Sequence, residues 1–113
     1  MLKSLTRALV TSLLVTLSAA AWADQPHWID VRTLGEFEAG HVNGAVNIPY
    51  EEIAARIVEV TTDKDDVIYV YCRSGRRSGI AKSMLEDAGF TNVVNLGGLE
   101  DARDFAAEQR IAE

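Results

Sequence analysis

One cysteine, Cys72, and two histidines, His27 and His41, are the only residues of their kinds in 113. A single thiol closes no disulfide within the chain, and these three residues offer no metal-ligand spacing, so a disulfide framework and a structural metal centre are both excluded. No resolving cysteine is present for thiol–disulfide exchange. Positive charge is scarce as well: 11 Lys and Arg stand against 17 Asp and Glu, a formal charge of −6. Nucleic acid and anionic membrane surfaces are therefore poor partners. The chain also lacks internal repeats, low-complexity segments and any stretch that reads as an interdomain linker.

Long apolar runs are missing too. The longest, Ala8–Leu17, is interrupted by Thr11, Ser12 and Thr16 and falls short of the roughly 20 residues that span a bilayer. Lys3 and Arg7 precede it, and the small residues around Ala21-Trp22-Ala23 follow. That order of charge, apolar stretch and small residues predicts a cleaved signal peptide over 1–23, with an uncleaved anchor as the alternative, and export, in a bacterium to the periplasm. No cysteine lies near the cleavage site, which excludes lipid attachment there. The mature chain, 24–113, is then a single small domain of 90 residues, and without Lys3 and Arg7 its formal charge is −8. An unpaired cysteine in an exported protein is either buried and inert, kept for its reactivity, or open to an intermolecular disulfide.

Within 24–113 strand and helix patterns alternate. Trp28–Val31 reads as a strand, and Thr33-Leu34-Gly35-Glu36 as a capping box opening a short helix that Gly40 stops. Ala45–Ile48 is a second strand ended by Pro49, and Ile53, Ile57 and Val60 form the stripe of a helix over 51–60. Val67–Tyr71 is apolar throughout, as expected of a central strand buried on both faces. Ile80, Ala81, Met84, Leu85 and Ala88 predict a helix from about Ser78 that Gly89 caps. Asn92–Leu96 is a fourth strand, Gly97-Gly98 a tight turn, and Leu99–Ala112 a closing helix with Leu99, Ala102, Phe105 and Ala106 inward. This alternation predicts a three-layer α/β domain with a mostly parallel sheet, whose ligands bind beyond the carboxyl ends of the strands.

Cys72 stands at such an end, where Val67–Tyr71 turns through Arg73-Ser74-Gly75-Arg76-Arg77 toward the helix at Ser78. The N–H groups of a helix's first turn, its dipole and nearby guanidinium groups all favour a thiolate there. Lowering a generic thiol from a pKa of ~8.5 to ~6.5 raises its thiolate fraction at pH 7 about 24-fold, yet costs about eightfold in nucleophilicity. The net gain is only about threefold, so the larger service of such a loop is to bind an anion and stabilise departing charge.

Asp30-Val31-Arg32, Gly40–Pro49, Tyr71–Ser78 and Asn95-Leu96-Gly97-Gly98 occur in order, and together they resemble the rhodanese (thiosulfate sulfurtransferase) family, in its exported single-domain form. The resemblance covers nearly all of the mature chain. It implies a rhodanese-like fold, Cys72 as nucleophile and a double displacement without cofactor or metal: the thiolate takes the outer sulfur of thiosulfate, releases sulfite, and passes the sulfur from a persulfide to cyanide or a thiol. Arg73, Ser74, Gly75, Arg76, Arg77 and Ser78 become the substrate cradle, with Arg77 the preferred anion contact and Gly75 allowing the tight curl. Asp30 and Arg32 are expected to bond to each other or to backbone, and His41 to be structural. Many relatives carry an aromatic residue and a tryptophan where this chain has Leu99 and Ala102, which bears on acceptor specificity.

Two other functions compete. Phosphatases and arsenate reductases of the same fold place an arginine six residues after the cysteine, where this chain has Ser78, with Arg77 one position early. A persulfide carrier serving a protein partner needs the same loop, so the residues alone leave it open beside the free-standing enzyme.

Overall fold

The computed structural model describes residues 25–112, so the expected signal peptide lies outside the described residues. Four strands, β1 (His27–Asp30), β2 (Val46–Asn47), β3 (Val67–Cys72) and β4 (Asn92–Gly98), form one parallel sheet in the order β2-β1-β3-β4. The apolar strand is thus an inner one, as its composition requires.

Alternation along the strands creates two cores. On one face Ile29, Val31, Ile68, Val70 and Cys72 pack with Ile53, Ile57, Ala81 and Leu85. On the other, Tyr71 packs with Val42, Ala45 and Ala102, flanked by the half-buried Trp28, Leu99 and Ala106. Helices therefore cover both faces, and the three-layer α/β architecture holds.

Helix α1 (Leu34–Glu38) starts on the expected capping box: Thr33 Oγ1 accepts from Glu36 N at 3.2 Å, and Glu36 Oε1 accepts from Thr33 N at 3.2 Å. The segment expected as one helix over 51–60 is instead a single α turn, α2 (Ile53–Arg56), between 3-10 turns at Tyr50–Glu52 and Ile57–Glu59. Ile53 and Ile57 are buried as the stripe requires, but Val60 N then bonds to Ile57 O at 2.9 Å and tightens the last turn.

Helix α3 (Arg76–Asp87) begins two residues before the expected start. Gly75 is its N-cap at φ +98°, a left-handed conformation open to glycine, and this bends the chain directly into helix. The inward face of α3 is Ser78, Ala81 and Leu85, whereas Ile80 is 38% exposed and Ala88 is exposed, against expectation. With Ser78, Ala81 and Leu85 turned inward, Ile80 falls on the opposite side of the helix, whereas Ala88 is the C-cap at its end. Helix α4 (Leu99–Ala112) closes the domain with Ala102 buried and Leu99, Phe105 and Ala106 half-buried.

The first βα connection is held by a buried ion pair. Arg32 Nη2 donates to Asp30 Oδ2 at 2.7 Å and to Gly40 O at 2.7 Å, and Arg32 N donates to Asp30 Oδ1 at 2.9 Å. Both residues bond to each other and to backbone, as expected. His41 is engaged with α1: its Nδ1 lies 2.8 Å from Phe37 O while its ring stacks on Phe37 at 3.7 Å. Across the sheet, the hydroxyl of the fully buried Tyr71 accepts from Val42 N at 3.0 Å.

Candidate active site

Strand β3 ends at Cys72 and α3 starts at Arg76, so only Arg73, Ser74 and Gly75 separate the thiol from the helix. The sequence pattern suggested a longer loop running to Ser78. In the structure Arg76, Arg77 and Ser78 are the first turn of α3, and of their N–H groups that of Ser78 bonds to the sulfur.

Cys72 is fully buried, and its Sγ accepts from Gly75 N at 2.9 Å and lies 3.4 Å from Ser78 Oγ. Burial pushes the thiol up, but the Ser78 hydroxyl and the N–H groups of Ser78, Ser74 and Gly75 outweigh it and leave the pKa below its ordinary value. The stabilisation of anionic sulfur is therefore the work of N–H and O–H donors.

The three arginines separate. The Arg77 guanidinium forks onto Glu36 of α1, with Nη1–Oε1 2.8 Å and Nη2–Oε2 3.0 Å. The expected leading anion contact is thus engaged across the site mouth with a carboxylate. Arg73 and Arg76 are exposed and form no ion pair among the described residues. Arg73 lines a cleft of about 420 Å³ together with Arg32, Glu36, Gly98, Leu99 and Asp101. Leu99, noted for replacing an aromatic residue, forms part of that wall, whereas Ala102 is in the core.

Two features escape the sequence patterns. Gly97-Gly98, expected as a tight turn, lies at the end of β4, with Gly98 in register with Cys72. A Cβ on Gly98 would stand 2.5 Å from Arg73 O, and one on Gly75 3.4 Å from Gly97 Cα. The glycines let two backbones meet at the thiol. Asn95 is the second feature: its Oδ1 accepts from Ser78 Oγ at 2.7 Å and from Gly97 N at 2.9 Å, and its Nδ2 donates to Gly75 O at 3.0 Å. Asn95 is 17 residues from Ser78. No local spacing signals that contact, and only its place beside the Gly-Gly pair hinted at importance.

Among the described residues no three metal-ligating side chains gather. What the site offers is a buried thiol in a ring of donors, on a parallel α/β sheet, beside a cleft lined by the unpaired Arg73. Fold and site together define a parallel α/β domain in which donors favour negative charge on the sulfur of Cys72.

Residues 14–104 match the rhodanese-like domain family, and the chain belongs to it. The thiosulfate sulfurtransferase PspE of Escherichia coli is 49% identical over 75 residues, 66% of this chain and 72% of that protein. A sulfurtransferase of Allochromatium vinosum is 40% identical over 70 residues, 62% of this chain and 64% of its own length. Among solved structures, a rhodanese with anions from E. coli matches with a TM-score of 0.66 at 48% identity, covering 68% of this chain and 91% of that one.

Proposed function

We propose that this protein is a thiosulfate sulfurtransferase that carries sulfur as a persulfide on Cys72. The observation that carries the reading is the donor set on Cys72 Sγ: Gly75 N at 2.9 Å, Ser78 Oγ at 3.4 Å and the further N–H groups that hold the thiol below its ordinary pKa. The family's sulfurtransferases in E. coli and A. vinosum support the reaction class.

In the first half-reaction the Cys72 thiolate attacks the outer sulfur of thiosulfate. A bond forms between the two sulfurs as the sulfur–sulfur bond of thiosulfate breaks, and sulfite leaves with that bonding pair. The persulfide keeps one negative charge, which the N–H groups of Ser74, Gly75 and Ser78 stabilise. An acceptor thiolate or cyanide then attacks the outer persulfide sulfur and restores the Cys72 thiolate. Neither half-reaction requires a metal or a cofactor. Of the cradle residues, Arg73, which lines the cleft without an ion-pair partner among the described residues, supports the reading as the contact for the sulfonate oxygens, Arg76 would add positive potential, and Arg77 is bound to Glu36.

The phosphatase reading fares worse here than in the residues alone. That signature needs its arginine at the sixth position after the cysteine, which here is Ser78, and the neighbouring Arg77 is committed to Glu36 at 2.8 and 3.0 Å. A protein acceptor remains compatible with the cleft, as do small thiols.

Intact-protein mass spectrometry before and after thiosulfate, with sulfite release followed in parallel, tests the mechanism. One added sulfur on Cys72, discharged by cyanide, is expected, and Cys72→Ala should take up none while keeping its circular dichroism. Turnover in that variant would remove Cys72 from the reaction.

We further propose export to the periplasm by cleavage after Ala23, on the strength of Lys3, Arg7, the apolar stretch and the small residues. No helix of the described residues is long and apolar enough to cross a membrane. The mass of the chain recovered from the periplasm should be that of 24–113, and an intact N-terminus would refute cleavage.

A further inference from the structure

We propose that Asn95 is a positioning residue for sulfur transfer: it competes with Cys72 for the single hydrogen of the Ser78 hydroxyl, taking it while the sulfur is a neutral thiol and yielding it when the sulfur becomes anionic. This rests on the reading of Cys72 as the sulfur-carrying nucleophile.

The geometry makes the competition unavoidable. A serine hydroxyl has one hydrogen to donate. Ser78 Oγ has two acceptors in reach, Asn95 Oδ1 at 2.7 Å and Cys72 Sγ at 3.4 Å. Ser78 is fully buried, so its hydroxyl chooses between these two. A neutral thiol is a weak acceptor, and the amide oxygen at an ideal distance wins. A thiolate or persulfide carries full charge, and charge-assisted hydrogen bonds are about twice as strong as neutral ones.

The orientation of the amide is fixed by its other partners. Gly97 N is obligatorily a donor and Gly75 O obligatorily an acceptor, so Oδ1 faces Gly97 and Nδ2 faces Gly75. Because Oδ1 keeps the Gly97 hydrogen at 2.9 Å, it is not orphaned when Ser78 turns to the sulfur. Nδ2, through Gly75 O at 3.0 Å, tethers the residue whose own N–H points at Sγ from 2.9 Å. One side chain thus holds the loop donor in place and keeps a second donor in reserve.

The competition has a consequence of definite sign. If Asn95 only props Ser78 in position, its removal loosens the serine and weakens Ser78's effect on the thiol. If Asn95 competes for the hydrogen, its removal strengthens that effect.

The test is the ionisation of Cys72, followed by the ultraviolet absorbance of the thiolate against pH, with Cys72→Ser as blank. It is measured with and without Ser78→Ala in three backgrounds: wild type, Asn95→Ala and Asn95→Asp. In Asn95→Ala, Ser78→Ala is expected to lower the acid dissociation constant of Cys72 by a factor at least about threefold larger than in wild type. In Asn95→Asp, which keeps the competing oxygen but loses the donor to Gly75, the factor should not exceed the wild-type one. An equal or smaller factor in Asn95→Ala, or an equally enlarged one in Asn95→Asp, would overturn the proposal. Asn95 is exposed, and the aspartate variant preserves its size, so a folded protein is available for measurement. The titration uses no sulfur donor. Its outcome is thus independent of whether wild type gains sulfur from thiosulfate, which the mass measurement decides.

Discussion

Glu36 of α1 and Arg77 of α3 are 41 residues apart and meet in a two-pronged ion pair of 2.8 and 3.0 Å. The pair joins the first βα connection to the helix that follows Cys72. The same carboxylate completes the capping box with Thr33, so one side chain both starts α1 and fastens α3 to it.

The pair sets an acid limit. Arg77's hydrogen bond, with lesser help from Thr33, overcomes burial and brings the Glu36 carboxyl down from 4.5 to about 2. A depressed acid stabilises the fold fully above its unfolded pKa and loses that contribution as pH falls through the folded one. Glu36→Gln should therefore cost about 1 kcal/mol at neutral pH, as a partly exposed pair does. Urea unfolding of both proteins should show that difference shrinking below pH 4.5 and vanishing near pH 2.

Arg73, unpaired in the cleft, should govern anion binding. Arg73→Ala is expected to raise the thiosulfate KM about tenfold, the weight of one charge-assisted contact, with a smaller change in kcat. Steady-state kinetics against thiosulfate at fixed acceptor measure it, and a changed kcat at constant KM would assign Arg73 to the chemical step.

Two glycines should respond with opposite sign. In Gly98→Ala the new Cβ would stand 2.5 Å from Arg73 O, so the backbone at the thiol must shift, at a cost of about 1–3 kcal/mol and most of the activity. Gly79 lies inside α3, and a Cβ there meets Asn95 Nδ2 at an ordinary 3.5 Å. Gly79→Ala should stabilise by about 0.5–1 kcal/mol through helix propensity. Thermal unfolding reads both.

Tyr71→Phe would leave Val42 N without the acceptor it has at 3.0 Å in a closed core. An orphaned buried donor costs about 1–3 kcal/mol, and denaturant unfolding should show that loss with an unchanged m value.

Much of this protein is determined by local pattern. The Thr33–Glu36 box, the inner strand ending at Cys72, the inward residues of α4 and the ring of donors expected around the thiol all follow from spacing and residue type, because capping, strand alternation and helix-end polarity act within a few residues. The start of α3 at Arg76, the exposure of Ile80, the commitment of Arg77 to Glu36, the packing of Gly98 on Arg73 and the reach of Asn95 to Ser78 were decided by tertiary structure. Each depends on how far two segments distant in sequence approach one another, and that distance is set by the packing of α3 against β4 and α1 rather than by any residue's own preference.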